Sequence, residues 1–253
     1  MMDPQSPGSR IYYLDNIRSI VIVFVVLFHA ILAYGAVGQW WYVVDPPPIP
    51  HSFIFIAVMD VLMMPVLFLI AGLLARPSFD RKGARLFMAG KVKRLLCPFL
   101  LLTILFSPIM PFIRQYLRAA GSGIEPAGFW PFWLSFIKSG TKIYASPVMA
   151  STELVVNQYW FLMLLFIFFA GYTLYNSIRG RNGVIDAAHP PEKPISKSAL
   201  LGKIAIFCLI IEAAWIVACL FIEGTLWMTL GGLWQVQPAK VPIYLGLFLA
   251  GVY

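Results

Sequence analysis

The apolar segment from residue 17 to about residue 37 places the tightest limit on what this chain can fold into. Only Arg18, Ser19 and His29 interrupt it, and a run of this length crosses the hydrocarbon core of a bilayer as a helix. Similar apolar runs cover about 52–75, 95–117, 158–178 and 199–222, and a shorter one begins near residue 241. The sequence therefore predicts an all-α fold, a polytopic transmembrane helix bundle with five complete spans and a partial sixth.

The composition excludes the ordinary soluble classes of protein. Hydrophobic residues fill 60% of the 253 positions and charged residues only 12%, about half the charged share of a typical soluble domain. We therefore expect the cations that give the net charge of +8 to lie in segments beside a membrane, and we expect no nucleic-acid partner. The three cysteines, Cys97, Cys208 and Cys219, are predicted to be core residues, and no metal site is expected.

The distribution of cations along the chain predicts its orientation in the membrane. With the amino terminus in the cytoplasm, the inner segments carry twelve lysines and arginines: Arg10, seven between residues 76 and 94, Arg179, Arg181, Lys193 and Lys197. The outer loops then carry four: Arg118, Lys138, Lys142 and Lys240. Cytoplasmic loops hold the excess of lysine and arginine in membrane proteins, so the amino terminus is predicted to be cytoplasmic.

Two expectations concern the ends of the chain. Residues 1–10 are polar and rich in proline and glycine, which predicts a disordered cytoplasmic tail ahead of one transmembrane domain over 11–253. The sixth apolar run starts near residue 241 and rises about 20 Å by Tyr253, short of a hydrocarbon core of about 30 Å. We therefore expect the chain to be the amino-terminal portion of a longer, incomplete domain.

Arg18 and His29 are the first candidates for chemistry. They lie eleven residues apart in the sequence, so on one helix they share a face and are separated by about 16 Å along its axis. An ionisable side chain inside a membrane helix is costly, which favours a functional role for His29 as a base. The alternative is that Arg18 reaches a lipid headgroup and His29 bonds a neighbouring helix.

Three acidic residues near the apolar runs are possible supporting residues. Asp15 is placed either to cap the first helix or to pair with Arg18. Asp60, inside the second run, is placed either to orient His29 or to pair with a cation. Glu212, inside the fifth run, is either functional or a polar link between helices.

Lys91 and Arg94 are predicted to act with Arg18 at the cytoplasmic side. They lie three residues apart, so they are neighbours on one helical face. Three cations at the inner mouth, with His29 deeper in the membrane, suit a ligand with a polyanionic head and a thin arm, and acyl-coenzyme A has that shape. The alternative is that Lys91 and Arg94 are only the usual excess of cations on the cytoplasmic side.

Four motifs carry a resemblance to a known family. The segment Tyr13–Arg18, followed by His29, resembles the Arg-x10-His signature of the acyltransferase-3 family of integral membrane O-acyltransferases. Three further segments resemble, in the same order, its Phe-Phe-x-x-Ser-Gly, Arg-x-x-Arg-Leu-x-x-Pro and Leu-Trp-Phe-Leu motifs: Phe68–Gly72, Lys91–Pro98 and Gln158–Leu162. The opening motif and Met64-Pro65-Val66 look closest to the glucan biosynthesis protein C branch, which is linked to succinylation of periplasmic glucans.

The resemblance implies a function for these residues. It implies a multi-pass protein of the bacterial inner membrane that transfers an acetyl or succinyl group from cytoplasmic acyl-coenzyme A to a hydroxyl of an extracytoplasmic carbohydrate. His29 and Arg18 would be the catalytic residues, with His29 as general base, and Arg18, Lys91 and Arg94 would bind the donor. The partners would be the acyl-coenzyme A co-substrate, the carbohydrate and the lipid bilayer, with no bound cofactor.

Two other functions remain open on the sequence. A transporter or exporter of a small molecule or acyl group also uses ionisable residues inside the membrane, although we find no internal repeat of the kind such proteins carry. A truncated, non-catalytic membrane subunit is the second alternative.

Overall fold

The computed structural model describes residues 12–35, 49–125, 128–139, 143–147, 158–180, 197–224, 226–230 and 234–253. The tail predicted over residues 1–10 lies outside the described residues. The described chain is mainly helical, which confirms the predicted class. Its helices are α1 (Tyr12–Leu32), α2 (Ser52–Leu73), α3 (Ala75–Lys91), α4 (Cys97–Leu105), α5 (Ile109–Gly121), α6 (Phe129–Ser139), α7 (Trp160–Ile178), α8 (Lys197–Phe221) and α9 (Val241–Val252).

Four helical stretches of the described chain are long and apolar enough to cross a membrane. They are α1, α2, the stretch 75–121 and α7, and two shorter apolar helices cover 205–221 and 238–252. This confirms a membrane protein built from helices. The count of five spans and a partial sixth, and the cytoplasmic amino terminus, stay predictions.

The third predicted helix, 95–117, is broken in the structure. One π-helical turn, Val92–Leu96, joins α3 to α4, and the chain then turns at residues 106–108 before α5 begins. Pro108 lies at this break, where it has no amide hydrogen to donate to the preceding turn. As a result, α5 is a separate helix instead of the upper part of one straight span.

α1 and α2 form an antiparallel pair. The amide of Ile49 donates to the carbonyl oxygen of Tyr34 at 2.8 Å, so the end of α1 and the start of α2 lie side by side. Leu32 and Ile56 pack together in a small apolar cluster just inside this junction. We call this side of the molecule the His29 end, and the opposite side, where α1 begins and α2 finishes, the Arg18 end.

Aromatic residues from α2, α3, α7 and α9 form the main core. Phe68 is fully buried at its centre, and its ring centroid lies 4.9 Å from that of Tyr244 and 5.3 Å from that of Phe168. Phe79 and Phe87 of α3 pack edge to face and bring this cation-bearing helix against α7. This segment folds onto the bundle in spite of its many charges because both of its phenylalanines are buried in the aromatic core.

Two glycines let α2 and α9 approach closely. A side-chain carbon on Gly72 would collide with the carbonyl oxygen of Phe248, and one on Gly251 would collide with the carbonyl oxygen of Leu69. Small residues are the usual means by which membrane helices pack in direct backbone contact. Gly72 closes the Phe68–Gly72 motif, so the structure gives that motif a packing role.

A three-stranded antiparallel sheet completes the fold at the His29 end. Its strands, β1 (Ile143–Pro147), β2 (Leu226–Leu230) and β3 (Trp234–Val236), lie in the order β1-β2-β3. The sheet joins the segment before α7 to the segment after α8, and a 3₁₀ turn, Pro238–Lys240, leads from it into α9. The sequence analysis predicted no strand, because these short segments pair only through contacts distant in the chain.

The cysteine prediction is wrong in part. Cys97 and Cys208 are exposed and Cys219 is half-buried, so the first two are not core residues of the described chain. All three are free thiols. In a membrane helix an apolar surface does not have to be covered by protein, because lipid is as apolar as the core.

Candidate functional site

His29 lies in the last turn of α1. The apolar run predicted a helix ending near residues 35–38, but α1 ends at Leu32, so His29 lies three residues from the helix end instead of near its middle. Its Nδ1 atom lies 2.7 Å from the carbonyl oxygen of Val25. A carbonyl oxygen only accepts hydrogen bonds, so Nδ1 is the donor and, in the neutral ring, Nε2 has the lone pair that takes up a proton.

Arg18 lies on the same helix, toward the other end of the molecule. α1 is continuous from Tyr12 to Leu32, so Arg18 and His29 are separated by about 16 Å along its axis. The side chain of Arg18 is exposed, whereas His29 is half-buried beside the ring of Phe28. The two predicted catalytic residues therefore do not touch, and a substrate that reaches both must be extended.

Lys91 is held by aromatic rings at the end of α3. Its Nζ atom lies 3.5 Å from the ring centroid of Phe169 and 4.8 Å from that of Phe87. Such cation–π contacts hold an ammonium group against the ring faces. Its N–H groups can still donate hydrogen bonds to other partners. Arg94 lies beyond Lys91 in the π-helical turn and is exposed. The two predicted donor-binding residues thus have different surroundings, one on the aromatic core and one at the surface.

Four cations converge at the Arg18 end. The positive charges of Lys82, Arg94 and Arg18 all act on the ammonium group of Lys91. We call these four residues the cationic cluster. Like charges this close repel, so the arrangement favours an anionic ligand that neutralises several of them at once.

The sequence analysis missed Lys82 as a member of this cluster. Gly83, with φ 71° and ψ 163°, interrupts the helical path of α3 directly after Lys82. Helical periodicity therefore cannot relate Lys82 to Lys91, which lies beyond the interruption. Glycine adopts this backbone conformation without the steric cost that other residues have.

Asp60 pairs with a cation. Its Oδ2 atom accepts a hydrogen bond from Nζ of Lys240 at 2.7 Å, across 180 positions of the chain. The sequence analysis left open whether Asp60 orients His29 or pairs with a cation, and the structure shows the pairing. Because Lys240 directly precedes α9, this ion pair joins α2 and α9 at the His29 end, as the two glycines do at the Arg18 end.

The other two acidic candidates lie on α1 and α8. Asp15 is half-buried in the first turn of α1, where a carboxylate interacts favourably with the helix dipole. The side chain of Glu212 is exposed on α8. Within the part of the chain that the structure describes, no group of three histidine, cysteine or acidic side chains could hold a metal ion.

The tryptophan of the fourth motif connects α7 to the sheet. The carbonyl oxygen of Trp160 accepts a hydrogen bond from Nε1 of Trp234 at 3.2 Å. The ring of Trp160 lies 6.0 Å from that of Trp227 and 5.6 Å from that of Tyr244, measured between centroids. All three motif segments after α1 therefore contribute side chains to the packing between α2, α3, α7, α9 and the sheet.

A comparison with protein families identifies the chain. The model of the acyltransferase-3 family, described as an acyltransferase domain, matches residues 11–253. The chain belongs to the acyltransferase-3 family. No curated protein and no solved structure gives a significant match.

Membership of this family makes the chain a membrane acyltransferase. In this acyltransferase the structure brings Arg18, Lys91 and Arg94 together with Lys82, and it places His29 at the other end of the molecule. It separates Asp60 from the cationic cluster and leaves Glu212 on the outside of the bundle.

Proposed function

We propose that this acyltransferase transfers an acetyl or succinyl group from cytoplasmic acyl-coenzyme A to a hydroxyl group of a carbohydrate on the other side of the membrane. The observation that carries the proposal is the separation of the cationic cluster at one end of α1 from His29 near its other end. This arrangement requires one substrate that is polyanionic at one end and extended enough to bring its reactive group to His29.

Acyl-coenzyme A fits the cationic cluster. Its nucleotide carries three phosphates, which Arg18 and Arg94 bind through charge-assisted hydrogen bonds with two-pronged geometry. Lys82 and Lys91 add positive charge, and the rings of Phe87 and Phe169 hold the ammonium of Lys91 in position. The pantetheine arm then extends along α1 and covers the separation of about 16 Å to His29.

His29 acts as the general base. Its Nε2 atom takes the proton of the acceptor hydroxyl while the hydroxyl oxygen attacks the thioester carbonyl carbon. The new carbon–oxygen bond forms, the carbon–sulfur bond breaks, and the imidazolium returns the proton to the departing thiolate of coenzyme A. The hydrogen bond from Nδ1 to Val25 holds the ring in the tautomer that this step needs. The reaction requires no bound cofactor, because the thioester supplies the activated acyl group.

The resemblance to the glucan biosynthesis protein C branch supports a glucan as acceptor and succinyl as the acyl group. The same resemblance supports a bacterial inner membrane, and the excess of lysine and arginine in alternate loops supports a cytoplasmic amino terminus. In the proposed orientation, the cationic cluster lies on the cytoplasmic side, where acyl-coenzyme A is made. His29 then lies nearer the side where the carbohydrate is found.

The test is acyl transfer by membranes that contain the protein. Release of coenzyme A and acylated product are measured with acetyl- or succinyl-coenzyme A and cellopentaose, a neutral β-linked glucose oligosaccharide. We expect His29→Gln to lower kcat by about 10²–10⁴-fold, the usual contribution of a general base. Transfer that persists unchanged in this variant would rule out His29 as the base.

The matched control is His51→Asn. His51 is an exposed histidine at the start of α2 with φ 61°, a conformation that asparagine also adopts. Its substitution removes an imidazole outside the proposed site, so kcat should stay within about twofold of the native value. Failure of the folded native protein to acylate the oligosaccharide with either donor would contradict the proposed function itself.

A further inference from the structure

The ion pair between Asp60 and Lys240 lies inside the depth of a membrane-spanning helix. Eight residues of α2, about 12 Å of helix, continue beyond Asp60 to Ser52 at the His29 end. Yet the side chain of Asp60 is 51% exposed and that of Lys240 is 23% exposed. Charged groups at such a depth face water or protein and not lipid, because transferring them into hydrocarbon is costly.

The turn and the strand that precede α9 lie close to the level of this ion pair. α2 and α9 run parallel, since Gly72 packs on Gly251 at one end and Asp60 bonds Lys240 at the other. α9 begins at Val241, directly after the residue that pairs with Asp60, so the 3₁₀ turn and β3 lie near the level of Asp60, well below the start of α2 at Ser52. Strand and turn backbone at membrane depth occurs where it lines a water-filled cavity or is covered by protein.

A series of aromatic rings leads from the ion pair to the sheet. Tyr244 lies one helical turn after Lys240 in α9, and its ring packs against Trp160. Trp160 in turn contacts Trp227 of β2 edge to face, and both indoles are half-buried. We call Asp60, Lys240, Trp160 and Trp227 the outer recess. A carboxylate, an ammonium and indole rings together are the groups that bind sugars, because hydroxyls bond the charges and sugar C–H faces stack on the rings.

The outer recess and His29 lie at the same end of the molecule. Leu32 of α1 and Ile56 of α2 pack in one small apolar cluster of the antiparallel pair at the His29 end. His29 lies three residues from Leu32 toward the Arg18 end, and Asp60 lies four residues from Ile56 in the same direction. A carbohydrate bound at the recess is therefore at the end of the molecule where the proposed base lies.

We propose that the outer recess is the carbohydrate subsite of this acyltransferase, where Asp60 accepts hydrogen bonds from acceptor hydroxyls through Oδ1 while Lys240 holds Oδ2. The inference rests on the proposed function and adds to it the residues that select the acceptor. It gives Asp60 a binding role, separate from proton transfer by His29.

The experiment compares the kinetics of Asp60→Asn and Asp80→Asn with cellopentaose as acceptor. Asp60→Asn keeps the shape but weakens both the ion pair and the acceptor bonds, so we expect the KM for cellopentaose to rise at least tenfold. The KM for acyl-coenzyme A should stay within twofold. Asp80→Asn is the matched control, because Asp80 is likewise paired, with Arg76, and 47% exposed, but lies at the Arg18 end. It should leave the KM for cellopentaose unchanged.

A second variant tests the recess in case Asp60→Asn misfolds. A binding measurement tests it in case the protein transfers no acyl group. Trp227→Leu alters the recess from β2, and it should also raise the KM for cellopentaose without changing that for the donor. Quenching of tryptophan fluorescence by cellopentaose is measured on the purified protein with no donor present, and Asp60→Asn should weaken this binding at least tenfold.

The outcomes separate the inference from the proposed function. Transfer with an unchanged KM for cellopentaose in both variants would overturn the recess as subsite and leave the function standing. The native protein could bind cellopentaose, with weaker binding in Asp60→Asn, and yet transfer no acyl group. That result would support the recess as a carbohydrate subsite and overturn the proposed function. Absence of both binding and transfer would overturn both.

Discussion

The charged side chains at the two ends of this acyltransferase bundle are arranged in opposite ways. At the Arg18 end, the positive charges of Arg18, Lys82 and Arg94 act on the ammonium group of Lys91, which has the same sign. At the His29 end, Asp60 and Lys240 neutralise each other at 2.7 Å beside indole rings. An excess of one sign attracts a polyanion, whereas a neutral pair with aromatic neighbours suits an uncharged polar ligand. The difference is consistent with the proposal that the acyl donor binds at one end and the carbohydrate at the other.

The largest effect is expected from removing two charges of the cationic cluster. The double variant Arg18→Ala with Arg94→Ala should raise the KM for acyl-coenzyme A by about 10²-fold or more, because charge-assisted hydrogen bonds are worth about 1.5–3 kcal/mol each. The KM for cellopentaose should not change. Steady-state kinetics with each substrate varied in turn measure both constants.

The control for that variant is Arg81→Ala with Arg85→Ala. Both are exposed arginines of α3 outside the cationic cluster. An equal rise of the donor KM in this control would show that the donor is attracted by the overall positive charge of α3, with no special role for the cluster.

The connection between the two ends depends on the α2–α9 contact. Gly72→Ala places a carbon against the carbonyl of Phe248, so we expect a loss of about 1–3 kcal/mol in the free energy of unfolding, the usual cost of overpacking. Thermal unfolding in detergent, followed by circular dichroism, measures the fall in Tm. Gly171→Ala is the matched control, because nothing lies within 4 Å of that position in α7. If both variants have the same Tm, the two helices do not need the close approach.

Two substitutions that keep a side chain of similar length test the role of Lys91. Lys91→Met removes the charge and the contact with the Phe169 ring, and it should raise the donor KM by about 3–30-fold, as cation–π energies of about 0.5–2 kcal/mol suggest. Lys91→Arg keeps both and adds a two-pronged phosphate contact, so its donor KM should equal or fall below the native value. A Lys91→Met protein with native donor KM would reduce Lys91 to a packing residue.

The smallest effect is expected from salt. Raising the ionic strength from about 0.05 M to 0.5 M shortens the screening length severalfold, so the KM for acyl-coenzyme A should rise a few-fold. The KM for cellopentaose should stay constant, because an uncharged sugar does not feel this screening. Parallel sensitivity of the two constants would contradict the assignment of donor and acceptor to different ends.

Most of the helical fold was predictable from hydropathy. The run predicted at 52–75 is Ser52–Leu73, and the run predicted at 199–222 is Lys197–Phe221. A bilayer requires a minimum number of consecutive apolar residues in each spanning helix, and that number can be counted directly in the sequence. The first helix was predicted about four residues too long, because Ala33, Tyr34 and Gly35 are apolar enough to continue the run but form a turn.

The geometry of the candidate site was predictable only for residues that lie on the same helix. The relation of Arg18 to His29 follows from eleven residues of continuous helix, so their separation needed no tertiary information. Lys82 was missed because Gly83 changes the direction of the chain beside it. The partner of Asp60 stayed open because Lys240 lies 180 positions away.

The sequence by itself determined the class of the protein, its apolar helices and the motifs of the acyltransferase-3 family, since each depends on residues near one another in the chain. Tertiary structure alone decided that Lys82 joins the cationic cluster, that Asp60 bonds Lys240, and that three short strands form a sheet. Those contacts depend on how α2, α3, α7 and α9 pack, and packing follows from the shapes of buried residues, such as the large ring of Phe68 and the absence of a side chain at Gly72. Hydropathy does not record those shapes.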